Sequence, residues 1–282
     1  MTTVVDAHQH FWDPAVADYP WMIGEYEPLR TRRTPSDLAP LLEATGVSGT
    51  VVVQARQELD ETVGLLEMAT VTDWVLGVVG WVDLTSPAVS ETIDEILNGP
   101  GGSRLVGIRH LVHDEPDPDW LLRDDVMRGL AAVAGAGLTY DLLVRTRELP
   151  AATGVAQQLP ELRFVVDHLA KPPISTRQIE PWAAAFGQIA DFPNVTCKVS
   201  GLVTEAEWSS WTPADLTPYI AAAVDLFGGD RLMWGSDWPV CTLAASYYDV
   251  RDVTVGILSD LVGDELDRVL GGCAIETYRL DL

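Results

Sequence analysis

The sequence predicts an α/β fold, a single-domain (β/α)8 barrel with its chemistry gathered at one end of the strands. Three observations point there. Eight short apolar, β-branched runs recur along the chain, segments of helical periodicity separate them, and the reactive side chains sit at the ends of the runs. Strands alternating with helices argue for parallel βα units, and eight such units argue for a closed barrel. A doubly wound open sheet would want a glycine-rich phosphate loop after the first strand, and His8-Gln9-His10 stands in that place.

In order, the predicted strands are Val4 to His8, Gly49 to Gln54, Leu76 to Val82, Leu105 to Arg109, Leu138 to Leu143, Arg163 to His168, Val195 to Val199 and Leu232 to Asp237. Helical periodicity covers Ser36 to Ala44, Leu59 to Val71, Val89 to Leu97, Asp125 to Ala134, Pro181 to Ala190, Asp215 to Phe227 and Tyr247 to Val262. Thr34-Pro35-Ser36-Asp37, Ser86-Pro87 and Thr212-Pro213-Ala214-Asp215 each set a cap beside a proline suited to the first turn. No linker divides residues 1–282, so one domain is expected.

Composition narrows the function. The 282 residues suffice for one large domain, and 47% hydrophobic content excludes disorder. Forty-two carboxylates against 18 Lys and Arg give a formal charge of −24, which repels phosphate backbones and anionic lipid. Neither nucleic acid nor a membrane is an expected partner, and a neutral small-molecule substrate is mildly favoured; the plain alternative is that the acidity serves solubility alone. No apolar run approaches the roughly 18 residues of a membrane span. The opening Met-Thr-Thr-Val-Val-Asp-Ala-His lacks a basic segment before an apolar stretch, so no secretion signal is expected. Cys197, Cys241 and Cys273 form neither a metal-binding nor a disulfide pattern, and a reducing cytoplasmic setting is the easier reading.

In such a barrel, chemistry belongs at the C-terminal ends of the strands. His8 and His10 end the first predicted strand, Gln54 the second, Arg109 and His110 the fourth, His168 the sixth and Asp237 the eighth, with Lys198 late in the seventh. Two imidazoles two residues apart point to one face and suit a divalent metal such as zinc. Asp237 could accept a proton from attacking water, ligate a metal, or simply cap a helix. His168 could be a third ligand, could orient the attacked carbonyl, or could be a core histidine bonded to Asp167. Arg109 is the candidate for holding substrate oxygens through its planar fork; the alternative is an ion pair with a carboxylate such as Asp141. Lys171 reads equally as a surface lysine, whereas Lys198, inside a buried strand, requires a partner. Gln54, Arg56, Tyr140 and Asp141 are weaker candidates for lining the pocket. Among ten tryptophans, Trp12 and Trp208 lie near strand ends or the following loops and could offer platforms to a sugar-like ring, or merely pack. The long loop from Leu202 to Thr212 could cover the site, and exposed aromatic loops leave room for a homodimer.

These residues resemble a known group. Asp6-Ala7-His8-Gln9-His10-Phe11-Trp12-Asp13-Pro14, Val53-Gln54-Ala55-Arg56, Gly107-Ile108-Arg109-His110, Asp167-His168-Leu169-Ala170-Lys171-Pro172, Lys198-Val199-Ser200-Gly201 and Gly235-Ser236-Asp237-Trp238-Pro239 are similar to the amidohydrolase-related sugar lactonases, the L-fuconolactonase and L-rhamnonolactonase group. The likeness spans essentially the whole chain. It implies a TIM barrel of the amidohydrolase type and hydrolysis of a neutral sugar lactone to an aldonic acid. It also implies a centre of His8, His10, His168 and Asp237, with Arg109 and Lys171 or Lys198 contacting substrate. Members of the wider superfamily bind one or two divalent metals, and several relatives in this group work without any. Here the fifth predicted strand carries Tyr140-Asp141-Leu142-Leu143, with neither histidine nor lysine to bridge two ions, so at most one divalent ion such as zinc is expected, and whether it is required or dispensable stays open. Gly271-Gly272-Cys273-Ala274 replaces the group's Gly-Gly-Asn-Ala, a difference read as structural. The alternatives are metal-dependent decarboxylation or amide hydrolysis on the same barrel, or a catalytically dead scaffold.

Overall fold

Each of the eight apolar runs becomes a strand in the computed structural model, which describes residues 3–282. The strands are β1 (Val5–Gln9), β2 (Gly49–Val53), β3 (Val75–Gly80), β4 (Leu105–His110), β5 (Thr139–Leu142), β6 (Arg163–Val166), β7 (Val195–Val199) and β8 (Leu232–Trp234). All seven neighbouring pairs are parallel and in chain order, giving one eight-stranded TIM barrel. Around it lie α1 (Pro35–Thr45), α2 (Leu59–Ala69), α3 (Val89–Asn98), α4 (Asp124–Gly135), α5 (Leu149–Gln158), α6 (Trp182–Ala190), α7 (Pro213–Phe227) and α8 (Tyr247–Val262). A final short helix, α9 (Cys273–Tyr278), packs Cys273, Ala274 and Tyr278 against Val5, Val51, Val79, Val165 and Met233. Among the described residues no helix is long and apolar enough to cross a membrane.

Local chemistry explains most of the helix starts. Thr34 and Thr212 head capping boxes in which the backbone N–H donates to Asp37 (2.8 Å) and Asp215 (2.9 Å) three residues on, with proline at the first helical position. Ser246 and Asp249 form a third box ahead of α8 that the sequence reading passed over. Ser86 is not the cap it was expected to be: α3 begins later, with Ala88 as N-cap, and the Ser86 hydroxyl accepts from the Ala88 N–H instead. α5 has no counterpart among the predicted helices. Its Leu-Pro-Ala-Ala-Thr-Gly-Val-Ala-Gln-Gln is so rich in small residues that no apolar stripe stands out.

The barrel closes differently from how the other strands pair. No ladder joins β8 to β1; Asp237 N–H donates to His8 O (2.8 Å) and His10 N–H to Trp238 O (2.7 Å). Asp6 fastens the seam. Its Oδ1 accepts the N–H groups of Ser236 (2.8 Å) and His8 (3.2 Å), and its Oδ2 accepts the Tyr247 hydroxyl (3.2 Å). Burial pushes its carboxyl up to about 6, against the lowering effect of those bonds. Because His8 and Asp237 flank this seam, Asp6 holds the two halves of the site in register. Replacing Asp6 by Ala removes the acceptor of three buried donors and is expected to destabilise the protein by about 2–5 kcal/mol in urea unfolding, with Asn costing less. Equal stabilities for the Ala variant and the wild type would refute the seam's role.

Candidate active site

The C-terminal ends of the strands open into a cavity of about 550 Å³ whose lining includes His10, Arg109, His168 and Asp237. His8 stands behind them, fully buried. Each imidazole is held through Nδ1. His10 Nδ1 lies 2.7 Å from Val53 O, and since a carbonyl only accepts, this nitrogen carries a proton. His168 Nδ1 meets the Ser200 hydroxyl at 2.9 Å, and His8 Nδ1 lies 3.3 Å from Asp167 and 3.2 Å from Lys198 Nζ. The Nε2 atoms therefore turn to a common centre. His8 and His10 Nε2 are 3.2 Å apart, and Asp237 Oδ1 lies 3.4 Å from His10, 3.8 Å from His8 and 3.9 Å from His168.

Electrostatics keep His8 and His168 neutral and the Asp237 carboxylate charged. Burial drives His8 well below the ordinary histidine value, helped by Lys198 and opposed by Asp167. Burial likewise lowers His168 to about 4 despite the opposing Asp237 and Asp167 carboxylates. Burial alone would raise Asp237, but His168, His10 and the Lys171 ammonium outweigh it and hold the carboxyl below its usual value.

His8, His168 and Asp237 offer ligand atoms all within 4.8 Å of one another. A tetrahedral ion with bonds near 2.0–2.1 Å sets its ligands about 3.3 Å apart; Asp237 Oδ1 lies 3.8 Å from His8 Nε2 and 3.9 Å from His168 Nε2, somewhat wider than that. Imidazoles fixed through their far nitrogens are the usual support for such ligands. The donor set thus fits one divalent cation. β5 supplies no ligand for a second, because Asp141 is engaged by Lys198 (2.6 Å) and the Tyr278 hydroxyl (2.7 Å).

Beneath the imidazoles lies a buried group of four charges. Asp167 Oδ2 accepts from Arg109 Nη1 at 2.9 Å, and its Oδ1 lies 3.0 Å from Lys198 Nζ, which also pairs with Asp141. Two carboxylates thereby balance two cations. Burial would raise Asp167, yet Lys198, His8 and Arg109 hold it well below the usual range. Asp167 does not bond His168, its neighbour in sequence, and the carboxylate facing Arg109 is Asp167 rather than Asp141. Arg109 Nη2 donates to the carbonyl oxygen of Gln54, and Nη1 lies 3.2 Å from His8 Nε2. Only its buried Nε has no partner.

The remaining sequence candidates divide by position. Lys171 lines the cavity, paired to Glu205 at 2.5 Å. Gln54, His110, Lys198, Trp12 and Trp208 lie outside the wall. Gln54 Nε2 donates to Arg109 O, and His110 accepts from Trp81, donates to Glu115 and stacks on Trp120 at 4.1 Å. Trp12 donates to Leu29 O and Thr31 O, and Trp208 donates to Thr204 O and packs edge-on against Tyr26, which does line the cavity. His113, Asp114 and Arg145, which are not among the sequence candidates, also line the cavity. They follow β4 and β5 in chain order, and that position was the signal for them.

Backbone conformation re-aims two key side chains. β6 stops at Val166, and His168, Leu169, Ala170 and Lys171 all have positive φ (54°, 52°, 58° and 49°). Such a run is costly for residues with a Cβ. It is held by Trp182 Nε1 on Leu169 O (2.7 Å), and it turns His168 and Lys171 toward the cavity. Asp237 also has positive φ (57°), three residues beyond β8. Gly201 is obligatory opposite them: at φ 62°, a Cβ would lie 2.5 Å from His168 Nδ1 and 3.1 Å from Asp237 Oδ2.

Two predictions follow from this geometry. Asp167→Asn leaves Arg109 and Lys198 with too little negative charge and is expected to destabilise the protein by about 3–5 kcal/mol in urea; a loss under 1 kcal/mol would remove Asp167 from this role. Glu61 offers the second. Its Oε2 accepts the Ala55 and Arg56 N–H groups (2.9 and 2.7 Å) behind the cavity wall, and burial pushes it up to about 7. A raised carboxyl favours folding most below its unfolded value, and that contribution is lost as pH rises through about 7. The stability difference between Glu61→Gln and the wild type should therefore move in the variant's favour from pH 5 to pH 8; a constant difference would contradict the shift.

Comparison with known proteins places this geometry. The family model described as amidohydrolase matches residues 5–280. The chain is 40% identical to a Burkholderia ambifaria protein named L-fucono-1,5-lactonase, covering 100% of this chain and 97% of that one. It is 38% identical to a Burkholderia multivorans protein of the same name, over 98% and 96% of the two chains. A crystal structure of a Burkholderia multivorans amidohydrolase with bound zinc superposes at a TM-score of 0.92, with 37% identity over 99% of this chain and 100% of that chain.

Proposed function

The chain belongs to the amidohydrolase family, and from that premise we propose that it opens a neutral sugar-derived lactone, an aldonolactone such as L-fuconolactone or L-rhamnonolactone, to the aldonic acid. The observation that carries this reading is the convergence of His8, His10, His168 and Asp237, at the cavity's end, with His8 and His168 neutral and the carboxylate charged. The names of the two Burkholderia relatives support the lactone as substrate class.

In this reading Asp237 takes a proton from the water that attacks the lactone carbonyl. Its depressed pKa keeps it ionised at neutral pH, and it lies 3.4 Å from His10 Nε2. His8, His10, His168 and Asp237 would hold a divalent cation, zinc by analogy with the bound ion of the Burkholderia multivorans structure, and the ion would supply Lewis acidity to the water and carbonyl. Arg109, fixed by Asp167 and Gln54, presents fixed positive charge where the oxyanion forms. Proton transfer through Asp237 then serves twice, as the same carboxyl can return its proton to the ring-oxygen leaving group. The product is an anion, and a chain of formal charge −24 favours its departure.

Asp237→Asn is expected to lower lactone turnover at least 100-fold with an unchanged melting temperature, read by a pH indicator across a panel of aldonolactones. Undiminished hydrolysis by that variant would sink the assignment. Running the panel with and without chelator separates a required ion from a dispensable one.

A further inference from the structure

Away from the imidazoles, the cavity wall carries charges of both signs that do not pair with each other. Arg109 and Lys171 are each matched to a carboxylate, whereas the Arg145 guanidinium, which also lines the cavity, has no hydrogen-bond or ion-pair partner among the described residues. Asp114 lines the same wall and touches only the neighbouring His113 Nε2, at 3.3 Å. Both side chains are exposed to the solvent that fills the cavity, so each keeps its hydrogen-bonding capacity for a ligand that displaces that water.

The backbone under both residues is anchored. Arg145 N–H donates to Glu148 Oε2 (2.9 Å), a side chain only 1% exposed, whose other oxygen pairs with Arg147 Nε. His113 N–H donates to Leu143 O (3.1 Å), tying the loop after β4 to the loop after β5. The two side chains are thus mounted on fixed loops and left unengaged. The Arg145 charge reaches its neighbours electrostatically: with Lys171 it adds to the burial that lowers His113 to about 3, and it opposes the burial that raises Asp114. His113 is therefore neutral, and the net local field is mixed.

We propose that Arg145 and Asp114 form a specificity subsite that binds neighbouring hydroxyl groups of a polyhydroxylated lactone ring. A guanidinium only donates and a carboxylate only accepts, while a hydroxyl does both. A carboxylate substituent would meet Asp114 and an ammonium would meet Arg145, so the pair selects an uncharged diol over either ion. The subsite rests on the lactonase reading and deepens it by assigning the substrate's ring hydroxyls to this wall, apart from the reacting carbonyl.

The test compares Arg145→Met and Asp114→Asn with the wild type on a polyhydroxylated δ-lactone and on unsubstituted δ-valerolactone. Each variant is expected to raise KM for the hydroxylated substrate about tenfold, the loss typical of one charge-assisted hydrogen bond, with kcat within about twofold. Turnover of δ-valerolactone should not change, and circular dichroism should show both variants folded. Equal effects on the two lactones, or no effect on either, would overturn the subsite while leaving the lactonase reading intact. Failure of the wild type to open any lactone would overturn both. A restored KM in Arg145→Lys, which keeps the donor and the charge, would support the assignment further.

Discussion

Everything at the centre of this barrel leans on one arrangement: two buried carboxylates, Asp141 and Asp167, neutralising two buried cations, Lys198 and Arg109. Removing four charges from water is expensive, and it is tolerable here because each charge has an opposite partner within about hydrogen-bond reach. The arrangement also has directional consequences. Asp167 and Lys198 bracket His8 Nδ1, and Arg109 Nη1 approaches His8 Nε2, so the first imidazole is oriented by charges from three other strands or strand ends. Its neighbours are oriented by neutral groups, a carbonyl for His10 and a hydroxyl for His168. A rigid centre results, with His8 and His168 held neutral by burial.

Around that centre the backbone departs from ideal geometry at the places where a side chain must be aimed. The left-handed run from His168 to Lys171 and the positive φ of Asp237 bring residues from β6 and β8 to face those of β1. Gly201 leaves the space into which His168 and Asp237 fit. Strain of this kind persists only where surrounding contacts over-determine it, and the Trp182 bond to Leu169 O and the Asp6 seam are such contacts. Stability is thereby concentrated beneath the site, while the loops after β4 and β5 are left to shape what enters it.

The barrel was legible from the sequence because its signals are local and repeated. β-Branched runs buried on both sides read as interior strands, and the Thr34 and Thr212 capping boxes mark helix starts within four residues of chain. His8, His10, His168 and Asp237 stood out for the same reason, as reactive types at strand ends. Less visible was α5, where alanine and glycine blur the periodicity. Asp167 was noticed only as a neighbour of His168, since adjacency in sequence is a poor guide to partnership when the backbone turns left-handed between the two. Arg109 looked like a free fork for substrate, yet its two Nη groups are engaged by Asp167 and Gln54.

What the sequence determined by itself was the count and order of strands, the absence of a phosphate loop, and the set of imidazoles and carboxylate that meet at the barrel's mouth. These follow from patterning and from the rule that strand ends converge in a closed parallel barrel. Only the tertiary structure decided which charges pair beneath the site, and which charges on the cavity wall stay unpaired. Pairing depends on distances between strands far apart in the chain and on a few positive φ angles at non-glycine residues. Neither leaves a local pattern in the sequence.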